Sequence, residues 1–293
     1  MITTARKNRR LLAAATLLFG SLTAFEANAT DAKADVLALG GSVTEIVVAL
    51  GQQHRLLARD TTSTYPPEIT ALPDVGYIRA LSPEGVLSVG PSLIISEDDA
   101  GPPETVDIIK EADVTFVQVP DALTTEGILD KITIVGDALG VPHVAAVLAE
   151  DVQAKMTAAI SDANRPEASK KRVMFVLSTQ GGKINVSGTG TAADAIIRMA
   201  GGVNAVTEYE GYKQITDEAV GLAAPDVILM MDRGDHGAAN DELFAMPSIQ
   251  LTPAARTQSV VRLNGLLMLG FGPRTAEAIR ALNAALYTSN DGA

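Results

Sequence analysis

Short apolar runs alternate with segments of helical periodicity along most of the chain. The run Val36–Leu39 is followed by a two-glycine turn and then by SVTEIVVALG, in which Ser42 is placed to cap a helix and Glu45 takes the third position. Val114–Val119 and Val173–Leu177 have the length and composition of further buried strands. Such strands alternating with amphipathic helices predict an α/β fold with mainly parallel sheets.

The pattern repeats within the chain. Arg79–Ser96 aligns without gaps on Lys213–Met230, and matched positions carry the same or similar residues. A second match, in the same order, places the first strand and its helix, Ser42–Leu50, on Val173–Val176 and Thr191–Met199. We therefore expect two related α/β lobes.

One long helix is predicted between the two copies. Val144–Arg165 has helical periodicity, is rich in Ala and contains neither Gly nor Pro, and Pro142 and Pro166 flank it. We expect an N-terminal lobe over residues 30–142, a linking helix over 143–166 and a C-terminal lobe over 167–293. A single rigid link permits only small relative motions, and the cleft between the lobes is the expected ligand site.

The first 29 residues have the organisation of a secretory signal peptide. An apolar stretch, Leu11–Leu22, follows a basic segment, and Ala27-Asn28-Ala29 provides small residues at a cleavage site. The apolar stretch is shorter than the roughly 20 residues that span a bilayer. We expect cleavage near Ala29 and no stable membrane insertion.

The amino-acid composition excludes several kinds of partner and of reactive site. The chain has 293 residues, and its 35 acidic and 23 basic residues give a formal charge of −12, which argues against nucleic acid and against an anionic membrane surface. With no Cys, it cannot form disulfides, Cys-ligated zinc sites or thiol nucleophiles, and three His disfavour a His-rich metal site. No G-x-S-x-G or other nucleophile motif is present, so an enzyme is not expected.

Two local motifs have a functional and a structural interpretation. Tyr65, in DTTSTYPPE, precedes two prolines, which favour an extended or turn conformation. Its phenol either faces a ligand or packs over the turn. Gly188, Gly190 and Ala193 have the G-x-G-x-x-A spacing of a dinucleotide loop, but the preceding KINV is short and polar, so we expect a turn that leads into a helix.

Cationic residues and histidines supply further candidates. Arg79 and Lys213 occupy equivalent places in the repeat, and Arg233 follows the second repeated strand. On loops that face a cleft, such side chains bind anionic ligands or form surface ion pairs. His236 could face the cleft, whereas we expect His54 and His143 to be solvated or to lie at helix ends.

The combination of these motifs resembles a known family. ALGGSVTEIVVALG, DTTSTYPPEI, LPDVGYIRALSPEGVLSV, SGTGTAADAIIRMAGGVNA and NGLLMLGFGPRT are similar to segments of the periplasmic hemin-binding proteins of heme ABC transporters. The resemblance implies two Rossmann-like lobes joined by one long α-helix. It also implies a monomeric periplasmic carrier of ferric heme (ferric protoporphyrin IX) whose partners are an importer permease and its ATPase.

The resemblance also implies roles for individual residues. The axial ligand of the heme iron falls on Tyr65, and a phenolate is a hard anionic donor suited to ferric iron. Arg233 would stabilise the phenolate, and Arg79 and Tyr212 are further contacts to heme or phenolate. The loop STQGGKINVSG lacks the His that binds a second heme in some members, which favours one heme.

Glu45 and Asp194 are equivalent in the repeat, and the resemblance implies that such a pair docks on the permease. Both acids could instead interact with the dipoles of their own helices. The alternative functions are a ferric-siderophore or cobalamin carrier, an exported enzyme, and a zinc or manganese carrier, the last of which would need several His in the cleft.

Overall fold

The structure, a computed structural model, describes residues 1–2, 34–232 and 240–287. Apart from its first two residues, the predicted signal peptide lies outside this part of the chain, as do Arg233 and His236. None of the described helices is both long enough and apolar enough to cross a bilayer.

The first half alternates strands and helices as expected. Its elements are β1 (Val36–Leu39), α1 (Gly41–Ala49), β2 (Leu56–Arg59), α2 (Pro83–Ser88), β3 (Leu93–Glu97), α3 (Pro103–Glu111), β4 (Thr115–Val119) and α4 (Thr125–Ala138), with 3-10 turns at Gln53–Arg55, Pro67–Ala71 and Ile78–Ala80. The four strands are parallel, in the order β2-β1-β3-β4. Parallel strands place all their carboxyl ends at one edge of the sheet, where ligands bind in open α/β folds.

A long helix, α5 (Pro142–Ala163), precedes the second half. The elements that follow are β5 (Arg172–Ser178), β6 (Ile184–Ser187), α6 (Ala192–Met199), β7 (Val203–Asn204), β8 (Tyr212–Ile215), α7 (Asp217–Ala223), β9 (Val227–Asp232), α8 (Asn240–Ala245), α9 (Pro247–Gln250), α10 (Pro253–Thr257), β10 (Val260–Asn264), α11 (Gly265–Leu269) and α12 (Thr275–Tyr287), with 3-10 turns at Glu167–Ser169 and Gln180–Gly182. The second sheet has the order β10-β9-β5-β6-β8, and β7 also pairs with β5.

The mainly parallel α/β architecture is confirmed, with one local exception. The polar segment KINV, treated as irregular in the sequence interpretation, contains β6, which runs antiparallel to both β5 and β8. Cross-strand pairing on both sides therefore overrides its weak apolar pattern.

The repeat is confirmed by matching helix caps. The Ser82 hydroxyl accepts a hydrogen bond from the Gly85 N–H of α2 at 3.0 Å, and the Thr216 hydroxyl accepts one from the Ala219 N–H of α7 at 3.2 Å. Each capped helix then leads into a buried parallel strand, β3 or β9. The same turn chemistry therefore produces the same helix–strand element twice.

The long helix begins and ends slightly earlier than its sequence pattern suggested. Pro142 occupies its first turn, where a missing N–H costs nothing, and the helix ends at Ala163 because Asn164, two residues before Pro166, is extended. Helix α5 packs on α4 from the first half and on α12 from the second. The lobe boundaries at residues 142 and 166, and the role of α5 as the single link, stay predictions.

The largest buried cluster runs through both halves. It contains Ile46 and Val47 of α1, Ile196 of α6, Phe271, and residues of α5 and α12. Two smaller clusters lie entirely within one half each, at β1–α3 and at β5–α10. Apolar packing therefore connects the two halves in addition to the chain itself.

The α4–α5 crossing supplies a stability prediction. A methyl group at Gly136 would lie 2.2 Å from the Ala145 Cβ, whereas one at Gly221 in α7 would meet nothing within 4 Å. Gly136→Ala should lower the free energy of unfolding by about 1–2 kcal/mol through overpacking. The matched Gly221→Ala should raise it by about 0.5–1 kcal/mol through helix propensity. Urea denaturation measures both, and equal shifts would contradict the close helix crossing.

Candidate functional site between the two halves

The Tyr65 loop lies at the carboxyl edge of the first sheet. It leaves the end of β2, and the Thr61 N–H donates to the Gly76 carbonyl at 2.9 Å. Asp74 forms an ion pair with Arg59 at 3.0 Å. These contacts hold the Tyr65 loop beside the segment that carries Tyr77 and Arg79.

A buried carboxylate, Asp60, determines the shape of this loop. Its Oδ1 atom accepts hydrogen bonds from the Gly40 N–H at 3.0 Å and from the Ser63 hydroxyl, and its Oδ2 accepts from the Thr62 N–H at 2.7 Å. Ser63 also shares a hydrogen bond of 2.8 Å with the Thr44 hydroxyl of α1. Sequence reasoning missed Asp60, although an acid followed by three hydroxyl residues is a common turn pattern.

Tyr65 projects from this loop with 40% of its surface exposed. The Arg274 guanidinium carbon lies 3.3 Å from the centroid of its ring, within cation–π range. Arg274 follows α11 in the second half, so the ring faces that half. Arg274 was missed as an individual residue, although it belongs to the LGFGPR motif on which the resemblance rests.

Arg79 forms its polar contacts with residues of the first half. It donates a hydrogen bond to the Tyr77 hydroxyl at 2.9 Å and forms an ion pair with Asp99. The Arg79 side chain keeps 61% of its surface exposed, and Tyr77 keeps 42%. An exposed guanidinium beside a phenol can bind an anionic group such as a carboxylate.

Tyr212 brings the second half to the same region. It is 39% exposed, and its ring packs edge-on against Phe175 at 6.3 Å. Partial burial raises the pKa of Tyr212, while its contacts with Thr191 and Ala193 and the charge of Arg79 oppose that rise. The structure therefore brings three of the four predicted ligand contacts, Tyr65, Arg79 and Tyr212, to the facing sides of the halves. The fourth, Arg233, lies outside the described residues.

Other parts of the protein occupy the space around Gly188 and Gly190, the glycines with dinucleotide-loop spacing. A Cβ at Gly188 would lie 2.2 Å from the Tyr209 carbonyl oxygen, and the Gly190 N–H donates to Asp194 at 3.1 Å. The strand before it, β6, is antiparallel rather than part of a parallel βαβ unit. These contacts favour the helix-entry turn over a dinucleotide site.

The remaining metal-binding candidates are scattered. His54 lies in an exposed 3-10 turn, and His143 is exposed in the first turn of α5. Within residues 34–232 and 240–287, no three His, Asp or Glu side chains cluster as metal ligands. A zinc or manganese site therefore gains no support from the described residues.

The expectation that Ser42 caps α1 is wrong. Gly40 occupies the cap position, and the Ser42 N–H donates to Glu97 at 3.1 Å, as does the Ser42 hydroxyl. Lys131 is 1% exposed and donates to Ser42 at 3.3 Å and to Asp121 at 2.8 Å. Burial raises the pKa of Glu97 to about 7, although Lys131 and Ser42 act in the opposite direction.

The two acids expected on a docking surface are buried. Glu45 is 6% exposed and pairs with Arg274, while Asp194 is 1% exposed and pairs with Arg198 at 2.7 Å. Asp194 also accepts a hydrogen bond from Asn204 at 3.2 Å. Both carboxylates therefore serve internal contacts in this structure, and their docking role stays a prediction that their burial disfavours.

The repeat offers another acidic pair that is exposed. Glu84 and Glu218 align in the two copies and lie in the first turns of α2 and α7. The alignment itself was the signal that could have identified them.

Comparison with known proteins finds a matching family model and similar solved structures. A family model described as periplasmic binding protein matches residues 36–265. The periplasmic heme-binding protein BhuT, solved in complex with two hemes, is 40% identical; the match covers 86% of this chain and 97% of that chain, with a TM-score of 0.82. The apo periplasmic heme-binding protein RhuT from Roseiflexus sp. RS-1 is 37% identical, covering 87% and 98% of the two chains, with a TM-score of 0.83.

A second group of relatives has another ligand. The vitamin B12-binding protein of Vibrio cholerae is 24% identical over 245 residues, which cover 83% of this chain and 86% of that protein.

The Glu97 site predicts how stability depends on pH. Its folded-state pKa of about 7 exceeds the ordinary value of 4.5, so the folded state retains the proton longer, and stability decreases as pH rises from about 5 to 8. Glu97→Gln should remove up to about 3 kcal/mol of this decrease. Glu111→Gln, at an exposed position, is the control. Denaturation curves between pH 5 and 8 test the prediction, and an unchanged Glu97→Gln profile would contradict it.

Proposed function

Because the chain belongs to the periplasmic binding protein family, whose members deliver ligands to ABC importers, we propose that it carries one ferric heme in the periplasm. The heme binds between the two halves, with the Tyr65 phenolate as the axial ligand of the iron. The chain then hands the heme to an inner-membrane permease and its ATPase. The protein transforms nothing chemically, so its role is transport rather than catalysis.

The position of Tyr65 is the observation that carries this proposal. Its phenol is exposed, its loop is held by Asp60, and its ring faces the second half. A phenolate is a hard oxygen donor that suits ferric iron, as in catalase. The exposed phenol rings of Tyr65, Tyr77 and Tyr212 offer surface to a flat apolar ligand, and Arg79 offers charge to a heme propionate.

Cobalamin and ferric siderophores are the alternative ligands. The B12-binding relative supports cobalamin at 24% identity, whereas the heme-binding BhuT is 40% identical. In a cobalamin carrier Tyr65 would be a wall of the pocket and its hydroxyl would not bind a metal. BhuT holds two hemes, and the absence of His from STQGGKINVSG supports a single heme here.

Delivery requires contact with the permease, and we assign it to Glu84 and Glu218. Both are exposed, both lie at the starts of equivalent helices, and the repeat gives the two halves the same acidic contact. Exposed acids of this kind suit basic residues on a partner.

A hemin titration tests the ligand and its residue together. Wild type should saturate at one equivalent with a high-spin ferric, phenolate-type absorption band. Tyr65→Phe keeps the ring but removes the oxygen donor, so it should lose this band and bind hemin at least about tenfold more weakly, a loss of roughly 1.4 kcal/mol. Tyr77→Phe, an equally exposed phenol, is the matched control and should keep the band.

Parallel titrations with cyanocobalamin and a ferric siderophore complete the test. Binding of either one without binding of hemin would replace the heme proposal with the corresponding alternative.

Charge reversal tests the docking assignment. Glu84→Lys and Glu218→Lys should each reduce stimulation of the importer ATPase in proteoliposomes at least about tenfold, because like charges across an interface cost several kcal/mol. Both variants should bind hemin as wild type does. Glu111→Lys is the control for a charge reversal elsewhere on the first half. Full stimulation by both variants would contradict docking through this pair.

A further inference from the structure

One guanidinium lies between a buried carboxylate and the proposed ligand residue. The Arg274 Nε atom donates to the Glu45 Oε2 at 3.1 Å, and its Nη2 donates to Oε1. The guanidinium carbon of the same group lies over the Tyr65 ring, 3.3 Å from its centroid. Arg274 thus makes a two-point ion pair with Glu45 and a cation–π contact with Tyr65.

These three residues come from both halves of the protein. Glu45 lies in α1 and Tyr65 in the loop after β2, whereas Arg274 lies between α11 and α12. The backbone passes very close to the carboxylate here, since a Cβ at Gly272 would lie 3.3 Å from Glu45 Oε2. The Glu45–Arg274 pair is therefore a contact across the two halves, directly beside Tyr65.

Burial makes the contact sensitive to separation. Glu45 is 6% exposed and the Arg274 side chain 18%. Removing one partner from such a pair leaves an uncompensated charge in a poorly solvated place. Burial also raises the pKa of Glu45, and the hydrogen bond and charge of Arg274 oppose that rise.

We propose that Arg274 is a positioning residue that couples the hold of Tyr65 on its ligand to contact between the two halves. While Arg274 stays paired with Glu45, its guanidinium fixes the Tyr65 ring in the orientation that binds the ligand. When an importer separates the halves, Arg274 leaves with the second half and Tyr65 loses this support. The ligand bond then weakens at the moment of delivery. The coupling rests on the proposed role of Tyr65.

Hemin dissociation into an excess of apomyoglobin tests the coupling. Arg274→Gln should dissociate hemin about five- to thirtyfold faster than wild type and shift the phenolate band, the range expected for a desolvated cation–π contact. Arg274→Lys keeps the charge but loses the planar guanidinium and the two-point pairing, so it should rescue only part of the effect. Glu45→Gln leaves Arg274 in place without its charged partner. Its hemin dissociation rate should therefore lie between those of wild type and Arg274→Gln.

Repeating the Arg274→Gln measurement in a Tyr65→Phe protein shows whether Arg274 acts by positioning Tyr65 or by stabilising the fold in general. If Arg274 acts through the phenolate, Arg274→Gln should change hemin dissociation in the wild type but hardly in Tyr65→Phe, a strong non-additivity. Equal changes in both backgrounds would overturn the proposal, as would an unchanged band in every Arg274 variant. Thermal unfolding of each variant shows whether it is folded.

A measurement without heme distinguishes failure of this proposal from failure of the heme assignment. Nitration by tetranitromethane, quantified by peptide mass spectrometry, should modify Tyr65 several-fold faster in Arg274→Gln than in wild type, because one face of the ring is uncovered. Tyr77 serves as the internal reference. If the protein fails to bind hemin but Arg274→Gln still speeds nitration of Tyr65, the heme proposal is wrong and the contact between Arg274 and the Tyr65 ring stands. Unchanged nitration would refute the contact itself.

Discussion

The arrangement of the candidate site depends on the hydrogen-bond acceptors for the buried N–H groups at the start of α1. A helix leaves its first N–H groups without partners, and the cap residue of α1, Gly40, has no side chain that could accept them. Asp60 and Glu97 supply the acceptors from the Tyr65 loop and from β3. The backbone at Gly41 lies close to both neighbours, because a Cβ there would lie 2.3 Å from Leu266 Cδ1 in the second half and 3.1 Å from the Thr62 carbonyl oxygen. The start of α1 therefore contacts the first sheet, the Tyr65 loop and the other half.

This arrangement explains how Tyr65, although it lies on a loop, is held in one position. The Tyr65 loop shares Asp60 with the start of α1, so its position follows that of the core rather than varying as an exposed loop would. One turn further along α1, Glu45 directs Arg274 onto the Tyr65 ring. Buried carboxylates of this kind contribute little net stability, because desolvation offsets their attraction to partners. Their effect is to select one geometry for the phenol.

The fold followed from sequence where local rules agree with tertiary structure. Apolar runs and the internal alignment predicted the duplicated α/β elements, because turn chemistry and periodicity act within a few residues. The site was only partly predictable. Tyr65 was selected through its Tyr-Pro motif and family resemblance, and its role as a ligand stays a proposal. The contact from Arg274, in contrast, joins residues more than 200 positions apart. The burial of Glu45 likewise depends on the second half, and no helical pattern within α1 indicates it.

Resonance Raman spectroscopy of the hemin-loaded protein, prepared with ring-deuterated tyrosine, asks directly whether a phenolate binds the iron. With excitation in the charge-transfer band, tyrosinate ring modes should be enhanced, should shift on deuteration and should vanish in Tyr65→Phe. Full hemin occupancy without any label-sensitive mode, or modes that persist in Tyr65→Phe, would show that another group binds the iron and would contradict the proposed heme site.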